Sequence, residues 1–426
     1  MPFSLKSLPG SGPRPGARET VVLLAGLMAL NAFAIDAMIP ALPAIGADLS
    51  VSEENRRQLI IVAYTFGFGI GQLFWGPLAD RFGRKPTLGL GIALYTGFAL
   101  LCAVAASFEL LVAGRMLQGA SAAATRILVV AMVRDLFEGE AMARVMSLVF
   151  MVFMLVPVLA PSVGQLILLA GPWQAIFLVL AGYGLLMLAW SWLRLPETLH
   201  EEYRRSLALG ELATAARAVL SERQSLGYTL AQTATFAGLV AYIASIQQIV
   251  FDAFEQPGAI GWVFGAVAVP MALASWLNSR LVGRYGLRRV GHLGVLAFVI
   301  LTTLHASVAT VWGESLAEFV ILQGLVMASF AFTSSNLNTL AMEKMAPIAG
   351  MASSIQGVIG TIGAAIVGFA IGQAFDGTQL PFLWGFALCG IAGALLVVLT
   401  EPRRLFERLP PIEHDPAAPT RAHPAE

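Results

Sequence analysis

Gly76-Pro77-Leu78-Ala79-Asp80-Arg81-Phe82-Gly83-Arg84-Lys85-Pro86 clusters acidic and basic side chains in a short break between two long apolar runs. The chain has 426 residues, of which 57% are hydrophobic and only 12% charged, so a cluster this dense needs a reason. Gly76 and Gly83 allow a tight turn and close backbone approach. The Asp and Arg groups between and beyond them suit a charge-latched turn at a membrane surface.

Composition fixes the class. A mean hydropathy of +0.76 lies well outside the range of soluble domains. Apolar runs of about 20 residues, the length a helix needs to cross the hydrocarbon core, recur along the whole chain. A β-barrel would alternate in runs of about ten residues, and that pattern is absent. The expectation is an all-α polytopic membrane protein with twelve spans, at 20–43, 57–79, 87–106, 109–133, 145–169, 174–194, 225–250, 259–282, 290–311, 315–341, 347–374 and 380–400. The first run is too long for a signal-peptide core and is expected to be retained. Cys102 and Cys389 fall in separate apolar runs and read as small buried helix residues, with no metal site.

Organisation follows from the breaks. Residues 1–19 and 402–426 are polar, Pro-rich and expected to be disordered cytoplasmic ends. Between the halves 20–194 and 225–401 lies a polar linker, 195–224, whose Arg204, Arg205, Glu211 and Arg217 suggest a solvated amphipathic helix. Lys and Arg placement orients the chain: with the N-terminus inside, almost all of them face the cytoplasm and only Arg56 and Arg57 fall outside. Both termini and the quoted loop are then cytoplasmic. The halves also echo one another. Arg81-Phe82-Gly83 recurs as Arg284-Tyr285-Gly286, Leu117-Gln118-Gly119 as Leu322-Gln323-Gly324, and Pro172 with Phe177 as Pro381 with Phe386. Three matches in order argue for a parallel six-helix repeat, two pseudo-symmetric halves. Because Gly283 stands where Asp80 does, the latch is expected in the first half alone.

These features resemble the major facilitator superfamily, and within it the twelve-helix drug:proton antiporters of the bicyclomycin/chloramphenicol-resistance type. The resemblance rests on the loop Gly76–Pro86, on Ile35-Asp36-Ala37-Met38-Ile39-Pro40-Ala41-Leu42-Pro43, and on Arg115-Met116-Leu117-Gln118-Gly119 with Arg134-Asp135-Leu136-Phe137. A weaker match is Ala160-Pro161-Ser162-Val163-Gly164-Gln165, which departs from the family in having Gln165 where a second glycine is usual. It implies proton-driven efflux by alternating access, no cofactor, a monomer in a bacterial inner membrane, and a cytoplasmic gate at Gly76, Asp80, Arg81, Gly83, Arg84 and Asp135.

Asp36 is the leading candidate for proton coupling. A charged side chain at the centre of a span costs about 2.5–3.5 kcal/mol or more, so it is seldom there by default. Burial favours the protonated form of a carboxyl and a nearby arginine the ionised form, so such a group can exchange a proton as its surroundings alternate. Arg115 lies at similar depth, and the two are expected to form a switchable pair, with a purely structural ion pair as the plain alternative. Arg126, deeper in the same span as Arg115, reads either as a cavity-lining cation or as a snorkelling arginine. Pro157 and Pro161 in span five, and Gly360, Gly363, Gly368 and Gly372 in span eleven, suit bending and close packing. Candidate substrate contacts are Asn31, Tyr64, Arg126, Met151, Met154, Gln232, Tyr242, Gln247, Asn336, Asn338 and Gln356, most of which also suit interhelical hydrogen bonding. With Asp36 nearly alone as a mid-span acid, neutral or weakly polar amphiphiles are expected as substrates ahead of multivalent cations.

Other classes fare worse. No phosphate-binding loop ending Gly-Lys-Ser/Thr is present, which argues against ATP-driven transport. An intramembrane enzyme would need a nucleophile–base or metal constellation; His200, His414 and His423 lie in polar segments, and His292 and His305 show no carboxylate neighbours in the sequence. An uptake symporter, an exporter of an endogenous metabolite and a non-transporting receptor or scaffold share the helices, since fold does not settle function. Partners are a small-molecule substrate, protons and the bilayer; nothing suggests nucleic acid.

Overall fold

The structure, a computed structural model, describes residues 16–137, 139–199, 209–345 and 348–407. Its helices are α1 (Ala17–Asp36), α2 (Leu42–Asp48), α3 (Leu59–Phe82), α4 (Arg84–Ala103), α5 (Phe108–Leu136), α6 (Gly139–Ala170) and α7 (Gln174–Arg194), then α8 (Leu209–Ser221), α9 (Arg223–Gln248), α10 (Ile260–Tyr285), α11 (Leu287–Trp312), α12 (Leu316–Met342), α13 (Ala349–Gln373) and α14 (Leu380–Thr400). Among the described residues, eleven segments are long and apolar enough to cross a membrane, and the 32-residue α6, apolar over Leu159–Ala170, brings the count to the twelve expected. The outer shell carries Leu90, Leu185, Trp262, Leu273, Leu304 and Leu388 in the open, while Arg115, Gln118 and Gln323 are fully buried. Apolar groups outside and polar groups inside is the arrangement lipid favours.

Packing follows chain order within each half. α3, α4 and α5 pack together, with α1 against α5, α6 and α7; α9 packs on α12, α13 and α14, and α12 on α10 and α11. Across the seam, α3 meets α13 and α6 meets α10. Backbones touch where side chains are absent: a Cβ on Gly67 would strike the Met116 carbonyl, and one on Gly119 the Tyr64 carbonyl, so α3 and α5 approach through paired glycines. That gives the Leu-Gln-Gly motif a packing role.

The first span differs from its expectation as one run over 20–43. α1 stops at Asp36, a 3₁₀ turn covers Ile39–Ala41, and α2 restarts at Leu42. Pro40 supplies no N–H to continue the α-helical ladder and disfavours α-helical geometry at the residue before it, which here starts a 3₁₀ turn instead, and Pro43 fits the first turn of the new helix. Asp36 therefore sits at a break in a membrane helix. The linker does contain a helix, α8, packed on α13 and α9; Arg204 and Arg205 lie outside the described residues.

Candidate functional site: a buried acid, two latches and an amide clasp

Asp36 is 2% exposed, and its Oδ1 has no hydrogen-bond partner. The expected pair with Arg115 is not made. Arg115, 0% exposed, donates through Nε to the Ile60 carbonyl (3.3 Å), through Nη2 to the Ala34 carbonyl (3.1 Å) and through Nη1 to Gln118 Oε1 (2.8 Å). Its guanidinium lies 4.3 Å from the Tyr64 ring centroid and 5.8 Å from that of Phe177. The carbonyls of α1 and of the start of α3 outcompete the carboxylate because they are fixed at the right distance around a planar, five-donor fork.

Several of the residues expected to contact substrate are engaged elsewhere. Tyr64 donates its hydroxyl to Asn31 (2.8 Å), both buried, which ties α3 to α1. Asn336 pairs with Asn278 of α10 (2.8 Å) and donates to the Phe332 carbonyl. Gln356 donates to Ser225 (2.8 Å) and to the Ala341 carbonyl (3.1 Å), joining α13 to α9 and α12. Asn338 is exposed and Gln232 half-buried. The guanidinium of Arg126 lies over the Phe68 ring at 5.8 Å, turned toward α3. Tyr242 is the exception: 4% exposed, flanked by Phe264 (5.7 Å) and Phe382 (6.2 Å), and without a partner for its hydroxyl. Gln247 is likewise buried with an unpartnered Nε2. The side chains of Met151 and Met154 on α6 lie outside the described residues.

The opening loop is a sharp turn between α3 and α4. Gly83 has φ +101°, a conformation that suits glycine. Arg84, rather than Asp80, is its centre. Arg84 is bracketed by Asp80 (2.7 Å) and Asp135 at the end of α5 (3.5 Å), and is the more buried, at 14% against 43% and 26%. Glu197, just beyond α7, accepts from the backbone N–H groups of Arg84 (2.8 Å) and Lys85 (3.2 Å), where the N-terminus of α4 favours an anion. Thr198 completes the ring by donating to Asp135 (2.8 Å). Arg81 is exposed over Phe82 and stands outside the latch. Gly76 borders Ser354 of α13.

The expectation of a one-sided latch is overturned. Gly286 repeats the turn with φ +88°. Arg288, 2% exposed, pairs with Glu343 after α12 (2.7 Å) and Glu401 after α14 (3.3 Å), the counterparts of Asp135 and Glu197. The acid moved from the turn to the partner helices, which is why motif matching at Gly283 missed it. Two histidines also gain acidic neighbours. His305 contacts Glu314 (2.9 Å) with both side chains buried. His292 meets the hydroxyl of Tyr228 (3.0 Å), which donates to Glu401 (2.8 Å).

At the end of the bundle opposite the two latches, amides clasp the halves. Gln58 donates to Gln248 and to the Gly372 carbonyl. Gln248 donates to Asn55 (2.8 Å), which donates to the carbonyls of Gln373 (3.1 Å) and Phe375 (3.0 Å) and accepts through its own carbonyl from Gln373 (2.7 Å). Farther in, Gln72 of α3 donates to Thr361 of α13 (3.0 Å). Single glutamines and asparagines in a sequence carry no signal of such a network. The only hint was their position at span ends.

The profile of the Major Facilitator Superfamily matches residues 24–253. The chain is 31% identical over 389 residues to a bicyclomycin resistance protein homologue of Haemophilus influenzae, covering 91% of this chain and 97% of that one. It is 27% identical over 389 residues to the multidrug resistance protein MdtL of Escherichia fergusonii, covering 89% and 94%. Among solved structures, a partially occluded, inward-open xylose transporter XylE from E. coli superposes with a TM-score of 0.72 at 14% identity, over 89% of this chain and 96% of that one. By profile, by relatives and by fold, the chain is a multi-pass membrane protein that belongs to the Major Facilitator Superfamily.

Proposed function

We propose that this chain is a proton-driven exporter of small, neutral or weakly polar amphiphilic compounds, drugs among them, in a bacterial inner membrane. Relatives of nearly full length that are named for bicyclomycin and multidrug resistance support the substrate class. The placement of Lys and Arg supports cytoplasmic termini and cytoplasmic latches. In that orientation the amide clasp closes the periplasmic side. The two halves rock about the α3–α13 and α6–α10 seams as a monomer, and no cofactor is required.

The observation that carries the reading is the buried, unpartnered Oδ1 of Asp36 at the broken first helix. A lone acid there takes up and releases a proton as the seam opens to one side and then the other. Its independence from Arg115 leaves it free to do so without breaking an ion pair. The test is gradient-driven uptake of a panel of amphiphilic antibiotics and dyes into inside-out proteoliposomes, with and without a protonophore. Wild-type uptake should collapse with the gradient, and Asp36→Asn should purify normally yet show no coupled uptake. Uptake indifferent to the gradient, or coupling retained in Asp36→Asn, rejects the reading.

A further inference from the structure

Residues 402–407, within the stretch expected to be a disordered tail, turn back onto the end of the second half. The turn is made by backbone hydrogen bonds, from Arg404 N–H to the Glu401 carbonyl (3.1 Å) and from Glu407 N–H to the Arg404 carbonyl (3.3 Å). It carries Leu405 onto the apolar cluster of Tyr228, Leu337, Leu340 and Val397. Phe406 follows with φ +61°, a conformation that a bulky L residue seldom adopts and keeps only where its surroundings impose it. His292 imposes it. The Phe406 N–H donates to His292 Nδ1 (3.1 Å), and the two rings meet edge to face with centroids 5.8 Å apart.

His292 is 2% exposed and lies one turn along α11 from Arg288. Its other nitrogen, Nε2, is 3.0 Å from the Tyr228 hydroxyl, which donates to Glu401 (2.8 Å); Glu401 also pairs with Arg288 (3.3 Å). These bonds fix the tautomer. Nδ1 accepts, so it carries no proton, and the Tyr228 proton is given to Glu401, so Nε2–H is a donor. A single chain of bonds thus runs from Phe406 through a neutral imidazole and a phenol to an acid of the second latch. The charged groups around this chain are Arg288 on α11 itself, Glu343 after α12 and Glu401 after α14. α9 brings the Tyr228 phenol, and α12 brings the neutral Asn336 beside Gly291, paired with Asn278 of α10. Arg403, Arg404 and Glu407 on the returning chain are exposed.

From this chain of bonds we propose that residues 401–407 form a strap that locks the second latch, and that His292 is its pH-sensitive fastening, a positioning residue for Glu401. A proton arriving on Nδ1 turns that nitrogen from acceptor to donor, head to head with the Phe406 N–H. Protonation and docking therefore exclude each other, and acidification releases the strap. Phe406 then relaxes, and Glu401 loses the imidazole and phenol that hold it toward Arg288. With the latches facing the cytoplasm, protons that enter during export loosen the lock as they accumulate. The fastening itself does not depend on the export reading.

Strap mobility tests it. A nitroxide at Glu407→Cys, an exposed site whose contact with Arg404 is long (3.9 Å) and of little energetic weight, is read by continuous-wave electron resonance on the full-length protein in detergent, the native thiols being buried. The ratio of immobile to mobile signal should fall about tenfold or more between about pH 8 and about pH 5, because one proton competes with docking. His292→Asn offers an acceptor oxygen near the place of Nδ1 but takes up no proton, so its spectrum should no longer change with pH. Phe406→Pro has no N–H to donate and a ring that forbids positive φ, so its strap should be mobile throughout. That variant lies beyond the last span and serves even where a change at His292 prevents folding. A wild-type spectrum constant over this range, a His292→Asn spectrum that follows the wild type, or an immobile Phe406→Pro strap at about pH 8 overturns the proposal.

Discussion

Gln58 and Gln248, one from each half, are hydrogen-bonded to each other while 1% and 3% exposed, which closes the seam at the end opposite the charged turns. The contact is neutral, and that is its use. A buried ion pair resists separation by several kcal/mol, whereas each neutral hydrogen bond contributes about 0.5–1.5 kcal/mol net, so the clasp can open in every cycle. Gln248→Leu removes two of its bonds and should raise the open population about five- to tenfold. Nitroxides at Glu53→Cys and Thr378→Cys, both exposed and on either side of the clasp, report this by pulsed electron resonance, the native thiols being buried. Identical distance distributions in the two proteins would show that the clasp does not hold the seam.

The two latches differ in burial, and their mutants should differ accordingly. Arg288 is 2% exposed between Glu343 and Glu401, so Arg288→Ala leaves two acids facing each other with their cation gone. Loss of one partner from such a site costs about 3–5 kcal/mol. Arg81→Ala should be nearly silent, because Arg81 is exposed and only overlies Phe82. Arg84→Ala should fall between. Thermal melting followed by tryptophan fluorescence ranks the three, and a melting point for Arg288→Ala as high as that for Arg81→Ala contradicts the second latch.

Arg115 should behave as a structural residue. Arg115→Lys keeps the charge but cannot reach the Ile60 and Ala34 carbonyls and Gln118 together, nor stack its head flat on Tyr64. The expected result is a loss of about 2 kcal/mol or more in stability, from unpaired buried acceptors. The protein that survives should keep the wild-type pH dependence of uptake. A shifted pH profile at unchanged stability would instead restore the pair with Asp36 that the sequence suggested.

How much was legible depended on the kind of signal. The twelve spans were readable because a 20-residue apolar run has few other uses. The turn at Gly83 was readable because a motif fixes local geometry. The break after Asp36 was present in the sequence as Pro40 and Pro43, yet the apolar run across it masked the interruption. Partners were the weak point. Depth along a helix put Asp36 beside Arg115, but depth leaves side-chain direction open, and carbonyls compete for an arginine without leaving any trace in the sequence. The same blindness hid Glu401 from Arg288 and Glu314 from His305.

The break at Asp36 is held from outside by α6. A Cβ on Gly164 would strike the Ala37 carbonyl, the first residue beyond α1, so α6 lies directly on the turn that positions the acid. Backbone cannot rotate away, and Gly164→Ala must push α6 from the turn, at about 1–3 kcal/mol for overpacking of this kind. Gly261→Ala is the contrast: its Cβ would meet the Ser162 hydroxyl, a side chain that can turn aside. Melting should drop more for Gly164→Ala than for Gly261→Ala, and coupled uptake should fall severalfold in the first alone. If both glycines tolerate alanine equally, the turn after Asp36 is held by its own prolines and not by the helix packed against it.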